Sequence, residues 1–575
     1  MGISRVRSKR LYLSSDSPMF KKTAPNPQLD MFSSPSMQLG ARASRKYTDP
    51  SAWHNQYFRM YTSRIDEERF KVLFPEGKKS GRPTASVRIL VSMSWLKEGF
   101  GCSDEELFEK CEFDLLTRKA LGLELISDVP PSLDTYYLFR RRVCEYYEKT
   151  GTDLMQQCFE AVTGSLVKQL KISGKCVRMD SKLIGSNIAR QSRYELISTT
   201  LQKFLKAVGV ECLKPELQEL AKSCLDEDSS KTVYRSDADT LQSRLAQIGS
   251  FILRLLSEYK EDDPCCALLR RVFGEQYTVE DGKAVLRDKK TVKADSVQNP
   301  NDPDATYRNK NDQKVQGYVT NITETVEERD GEGKVRKPSI ITSVQVETAT
   351  FADCHFLREA VENSERVTNA TVGDLYADGA YQSPENRTFA EGHGGMRLKT
   401  GKMQGGSRWE LIRHGEDGLT VIDKQTAGTY EAVKAVPKQG KRQRWRIPWA
   451  NKTGWRYFED KDIKACQLRK QIESLPPEEQ RRRNNVEAAM FQYSFHTRLG
   501  GKTRYRGLLK HRMQAYARCA WMNFRRVVIF QLAAFQRTIF ALFGPLRKAF
   551  GWIVMIFANL FTARAVCRVS PRMAA

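Results

Sequence analysis

"LYADGAYQSPEN", residues Leu375 to Asn386, decides how the fold is read. A strand-like run ends on Asp378, which is followed at once by Gly379, Ala380 and the aromatic Tyr381. A carboxylate at the end of a buried strand is costly unless something stabilises its charge. A second stretch is built the same way. "GKCVRMDSKLIGSN", Gly174 to Asn187, reads as a strand with Val177 and Met179 on one side and Asp180 at its end.

Between the two stretches the character of the chain changes twice. Residues 194–290 are helical by pattern, as in "LQSRLAQIGSFILRLLSEY", and carry no evident chemistry. From Asp302 the pattern turns to β: "GYVTNITETV" (Gly317–Val326), a polar hairpin "EERDGEGKVRKP", then "SIITSVQVETATF" (Ser339–Phe351). A helix, "DCHFLREAVENSERV", precedes the strand that ends on Asp378. Strand, strand, strand, helix, strand, with carboxylates closing the first and fourth strands, is the order of a ribonuclease-H-like α/β core.

Composition narrows the partner. Lys and Arg number 94 against 69 Asp and Glu, a net charge of +25 spread along 575 residues. A polyanion is the natural partner, nucleic acid ahead of membrane. Thirteen cysteines, without a C-x-x-C pair, form neither a disulfide framework nor a zinc pattern and read as reduced core residues. No G-x-x-x-x-G-K-[ST] loop occurs, so no nucleotide cofactor is expected, and none of the six histidines stands in a metal spacing. No signal peptide is visible. The apolar runs Val527–Phe535 and Gly551–Phe561 are too short to span a bilayer and read as packing helices.

Upstream, residues 1–80 are rich in Ser, Pro and cations, as in a flexible basic arm. "SVRILVSMSWL" (Ser86–Leu96) has helical spacing, and Ser103 with Glu106 forms a capping box. The helix in Val129–Tyr147 carries Arg140, Arg141 and Arg142, which suit a helix on DNA or, equally, a solvated charged face. Downstream, 14 cations against five acids lie between Arg397 and Arg456, with Trp409, Trp445, Trp449 and Trp455 among them. Lys441, Arg442, Arg444 and Arg446 there interleave with aromatics, as phosphate contact and base stacking require, although such tryptophans also make the core of a small β-domain. In "PPEEQRRRNNVEAAMFQYSFHTRLGGKTRYRGLLKHRM" (Pro476–Met513), Val486, Met490 and Tyr493 form the stripe of a helix, with Glu487 beside it and Arg483 one turn earlier.

Asp180, Asp378 and Glu487 together have the donor chemistry of a site for two Mg²⁺ or Mn²⁺ ions. Singly, each is better read as a cap or an ion-pair partner. The chain resembles bacterial insertion-sequence transposases of the DDE type. The likeness is carried by "KALGLELISDVPPSLDTYYLFRRRV", "VRMDSKLIGSN", "DPDATYRNKNDQKVQGYVTNITET", "LYADGAYQSPEN" and "RYRG" (Arg504–Gly507). The family's glutamate pattern is Tyr, two residues, Arg, three residues, Glu, six residues, Lys. Arg483 and Glu487 match it, whereas Gln480 and Ser494 replace the Tyr and the Lys. Arg498 or Lys502 are candidates for the missing cation, with Arg504 and Arg506 as further DNA contacts.

The resemblance implies cleavage at the ends of a mobile element and joining of the 3′-hydroxyls to target DNA. It implies a homodimer on double-stranded DNA, in the bacterial cytoplasm at the nucleoid. A nuclease that cuts without joining, or an inactive DNA-binding relic, is the alternative. The expected fold is multidomain α/β: a ribonuclease-H-like core with an all-α insertion and a β-rich insertion, preceded by an N-terminal helical DNA-binding domain. Its parts are a basic arm (1–80), the helical domain (81–150), core (151–193), helical insertion (194–300), core (301–392), β-rich insertion (393–458), the glutamate helix closing the core (459–515) and apolar, basic C-terminal helices (516–575).

Overall fold

The helix expected at Ser86 forms as α1 (Val87–Phe100). The Ser86 hydroxyl accepts from the Ile89 amide, and Gly101 ends the helix in the left-handed region at φ 66°. Its buried residues, among them Val87, Leu90, Met93, Trp95 and Leu96, lie on every side, as in the central helix of a large core. The Ser103–Glu106 capping box is present in both directions, at 2.7 and 3.1 Å. The computed structural model describes residues 34–74, 85–259, 264–310, 313–400, 408–415, 418–435, 444–448, 454–474, 476–495 and 501–549. Several side chains between 468 and 485, and all those beyond 535, are outside it.

Residues 34–74, expected within a flexible arm, are instead short helices fixed to this core. Tyr57, Met60, Tyr61, Ile65 and Phe70 are buried, and Tyr57 and Tyr61 stack at 5.5 Å. These helical pieces run eight residues or fewer, too short for a periodic signal, and aromatic burial rather than helix propensity holds them. The following helices, α2 (Leu133–Thr150) and α3 (Leu154–Leu170), join the same apolar cluster. The N-terminal helices therefore share one core with the main sheet instead of forming a separate domain.

That sheet starts with β1 (Cys176–Gly185), followed by β2 (Thr306–Lys310), β3 (Gln313–Thr325), β4 (Ile341–Thr348), β5 (Asp374–Ala377) and β6 (Arg397–Thr400). β3 pairs antiparallel with β1 on one edge and with β4 and β2 on the other. β5 then lies parallel to β1, and β6 parallel to β5. The helix α4 (Leu357–Thr368) covers one face through Leu357, Ala360 and Val361, against Val177, Met179, Leu375 and Ala377. β1 is longer than expected because it pairs with β3 as far as Gly185, so Asp180 lies in mid-strand rather than at a strand end. β6 likewise corrects the boundary at 393, since Arg397–Thr400 belongs to the main sheet.

One position in this pairing admits no side chain. A Cβ on Gly317 would stand 2.2 Å from the Ile184 carbonyl oxygen and 2.7 Å from the Ser186 nitrogen, both backbone atoms. Gly317→Ala is therefore expected to lower stability by about 1–3 kcal/mol, read as a lower urea midpoint. An unchanged midpoint would mean that β1 and β3 do not approach this closely.

The insertion after β1 has a core of its own, with Phe204, Leu205, Phe251, Ile252 and Leu269 buried between helices from Arg193–Val208 to Pro264–Gln276. It is not all-α. A hairpin, Tyr277–Glu280 with Lys283–Leu286, closes it around Asp281 and Gly282, both at positive φ. Asp-Gly between alternating apolar residues is the sequence signal for such a turn. The second insertion is a five-stranded antiparallel sheet from Trp409 to Glu459, backed by the helix Asp460–Glu473 through Ile463 and Cys466. That helix thus belongs to the insertion, not to the end of the core. The chain returns through α5 (Pro477–Ser494) and α6 (Leu508–Ala549). The first half of α6 is deep in the core: Ala515, Cys519, Trp521, Phe524 and Val527 are buried, and Asn523 exchanges hydrogen bonds with the Ile341 backbone at 2.8 and 2.9 Å. Among the described residues no helix is long and apolar enough to cross a membrane.

Candidate active site

Strand register brings the two aspartates together. Cys176, Val177 and Arg178 of β1 stand opposite Asp374, Leu375 and Tyr376 of β5. Continued two residues past the last pair, the same register runs Asp180 alongside Asp378, and the charge of Asp378 acts on Asp180. Asp378 caps the short turn Gly379–Tyr381, its Oδ1 accepting from the Gly379 amide at 2.7 Å. Asp180 accepts from the Ser181 amide at 2.8 Å. Burial pushes the Asp180 carboxyl up to about 6, the Ser181 amide opposes this, and the charges of Asp378 and Asp353 add to it.

The sign of that shift is measurable. A folded pKa of about 6 against 3.8 unfolded means that the unfolded chain binds fewer protons between pH 4 and 6. Stability therefore falls as pH rises through that window, by about 3 kcal/mol in total. In EDTA, Asp180→Asn is expected to unfold at a higher temperature than the wild type at pH 8, with the difference closing towards pH 4. Equal melting temperatures at both pH values would show that Asp180 is not held against its charge.

The helix α5 lies across the same face. Residues two apart on a strand share a face, so Arg178, Asp180 and Lys182 point one way. Arg178 reaches the Arg482 carbonyl of α5 at 3.3 Å and Lys182 reaches the Ser494 hydroxyl at 2.8 Å. Asp180 is midway between them on the strand, and the middle of that helical stretch is Ala488, next to Glu487. At about 100° per residue, Glu487 lies about 20° around α5 from Ser494, on the flank towards Lys182. Glu487 is exposed, while Val486, Ala489, Met490 and Tyr493 take the buried stripe. Among the described residues, no three His, Cys, Asp or Glu side chains stand close enough together to hold a metal ion. The charge of Asp378 acts on Asp180, and Glu487 lies on the adjoining helix; the three do not form a ready-made metal group. Arg483 is one turn before Glu487 on the backbone, and its side chain is outside the described residues.

Sequence reasoning missed three neighbours. Asp353, 4% exposed, pairs with Arg308 at 3.3 Å and Lys310 at 3.9 Å. Tyr381 is fully buried and donates to Asn321 at 2.6 Å; burial first, then the charges of Asp180 and Asp353, hold its phenol far above its usual value. Lys182 is the third. Its place two residues after Asp180 in an alternating strand was the available signal.

The expected DNA-contacting cations fare unevenly. Arg140 lies over the rings of Tyr136 and Tyr505 at 5.5 and 5.4 Å, and Arg142 over Phe74 at 5.3 Å, so only Arg141 of the three is exposed. Lys502 donates to the Ile188 carbonyl at 2.8 Å, and Arg504 to the carbonyls of Gly101 and Cys102. Those two cations tie loops to the core; they are not displayed to a partner. Arg506, bonded to the Asn187 carbonyl at 2.7 Å, is exposed. In the β-insertion Arg444 pairs with Glu459 at 3.1 Å, and Arg446 lies 4.4 Å over Trp455, which is 47% exposed. Trp445 is buried in that sheet's own core and Trp409 packs on it. Lys441, Arg442, Arg498 and Trp449 lie outside the described residues.

Residues 54–142 match a family model described as Transposase domain (DUF772). In the fold this is the run of helices from Trp53–Met60 into α2, the part packed against α6. The match supports a transposase. No curated relative and no solved structure matches the chain.

Proposed function

We propose that the protein is a DNA transposase of the DDE type on a ribonuclease-H-like core, cutting the ends of its own element and joining them to target DNA. The carrying observation is the register that sets Asp180 beside Asp378, on a face crossed by the helix of Glu487. The transposase-domain match at 54–142 supports it independently. The order of antiparallel strands, covering helix and parallel strand supports the core.

The donor set fits a hard divalent cation: carboxylate oxygens on adjacent strands, one of them kept from easy ionisation by burial. Asp180 and Asp378 would hold Mg²⁺ or Mn²⁺, with Glu487 as the third ligand. When bound, two such ions activate water or a 3′-hydroxyl and stabilise the leaving oxygen. The chain's own part is to fix the donors. Gly379 and Ser181 amides orient the two aspartates, and Arg178 and Lys182 tie α5 along β1. Arg141, Arg506 and the Arg446–Trp455 face would contact DNA, with two copies holding the two ends.

The test is joining. Incubated with Mg²⁺, a duplex of the gene's own flanking DNA and a target plasmid, the protein is expected to yield 3′ ends covalently joined to the plasmid. Cutting without joined products would favour a nuclease, and tight binding without cutting would favour a relic.

A further inference from the structure

Of the cations on the face that carries Asp180, most are already matched to carboxylates. Arg178 pairs with Glu324 at 2.5 Å and Glu327 at 2.9 Å, and Lys399 with Glu479 at 2.9 Å. Lys182 differs. Its ammonium rests on a neutral group, the Ser494 hydroxyl, at 2.8 Å. That hydroxyl bonds back to the carbonyls of Met490 and Phe491 at 3.0 and 3.1 Å, so a lone pair is what it offers to Lys182. A phosphate oxygen is a stronger, charge-assisted acceptor than a hydroxyl. Lys182 is also two residues from Asp180 on the same strand face, within reach of whatever lies at the aspartate pair.

We propose that Lys182 is a DNA-contacting residue of the active site, its ammonium leaving Ser494 to hold a phosphodiester next to Asp180 and Asp378. This rests on the transposase reading of that pair. A cation beside the pair adds to the attraction of a phosphodiester, which the two carboxylates by themselves repel.

The experiment uses the full chain and the same flanking duplex, with Lys182→Gln, Lys182→Met, Lys182→Arg and Asp378→Asn. Binding is measured against KCl concentration, and cleavage in single turnover with Mg²⁺. Loss of one phosphate contact lowers the slope of log affinity against log salt by about 0.9. That fall is expected in Lys182→Gln and Lys182→Met, with Lys182→Arg keeping the wild-type slope. Cleavage by the Gln and Met variants is expected to fall by about 100-fold, the scale of losing one charge-stabilising donor. Wild-type slope and rate in the Gln and Met variants, with Asp378→Asn inactive, would overturn the role of Lys182 alone. Wild-type cleavage by Asp378→Asn would overturn the site itself, and Lys182 with it.

Discussion

Asp378→Asn is expected to cut the element's flanking DNA at least about 10³-fold more slowly than the wild type, because metal ligation supplies several kcal/mol of transition-state stabilisation and each 1.4 kcal/mol is tenfold in rate. The substitution is a clean one. Asparagine keeps the oxygen that accepts from the Gly379 amide at 2.7 Å, so the cap of the turn survives while the negative charge is lost. DNA binding should be retained, since removing a carboxylate reduces repulsion of the phosphates. Asp180→Asn should behave alike, because on the proposed function the two neighbouring carboxylates hold the same ions. Gel-resolved single-turnover cleavage in Mg²⁺ and Mn²⁺ checks both. Cleavage within tenfold of wild type would place the reacting phosphate elsewhere.

The second large effect concerns how α5 and α6 are held on β1. Arg178 is 3% exposed and Glu324 is fully buried; they are direct cross-strand partners joined at 2.5 Å. The other Glu324 oxygen meets Arg526 of α6 at 2.6 Å, Glu327 meets Arg178 at 2.9 Å, and Arg178 also reaches the Arg482 carbonyl of α5. Two cations and two anions thus knit β1 and β3 to two helices. Removing one partner of such a set leaves a buried charge uncompensated, at a cost of about 3–5 kcal/mol. Glu324→Gln should lose that much in urea unfolding, and Arg178→Met about as much. The double variant should lose less than the sum, since both charges then leave together. Additive losses would show that the two side chains do not meet. Because Arg178 stands two residues from Asp180 and binds α5 five residues before Glu487, these variants should also raise the Mg²⁺ concentration needed for cleavage.

Much of the core was legible because its signals are local. Asp180, Asp378 and the helix Leu357–Thr368 follow from alternation, from the apolar stripe and from acids next to strand runs. Asp180 was misplaced at a strand end, because strand length depends on the partner and β3 carries β1 on to Gly185. The segment 34–74 was misread for the opposite reason: its composition is polar and its helices short, while its burial comes from Tyr57, Tyr61 and Phe70 meeting residues far away in sequence. Charge runs were the poorest guide. Arg140 and Arg504 look like DNA contacts in the sequence, yet one lies over tyrosine rings and the other binds two carbonyls at the end of α1. A guanidinium with five donors does both tasks equally well, and only the fold decides between them.

On the proposed function, Asp180, Asp378 and Glu487 share metal ions once DNA is bound, although among the described residues no three acids form a ready-made metal group. Mn²⁺ titration followed by electron paramagnetic resonance, on the complex with the element's flanking duplex, tests it most directly. The account predicts about two Mn²⁺ per protomer, magnetically coupled, with the coupled signal lost in Asp180→Asn, Asp378→Asn and Glu487→Gln alike. Mn²⁺ bound with the same stoichiometry and coupling in all three variants would contradict it. Loss in the aspartate variants with Glu487→Gln unaffected would contradict the assignment of the third ligand.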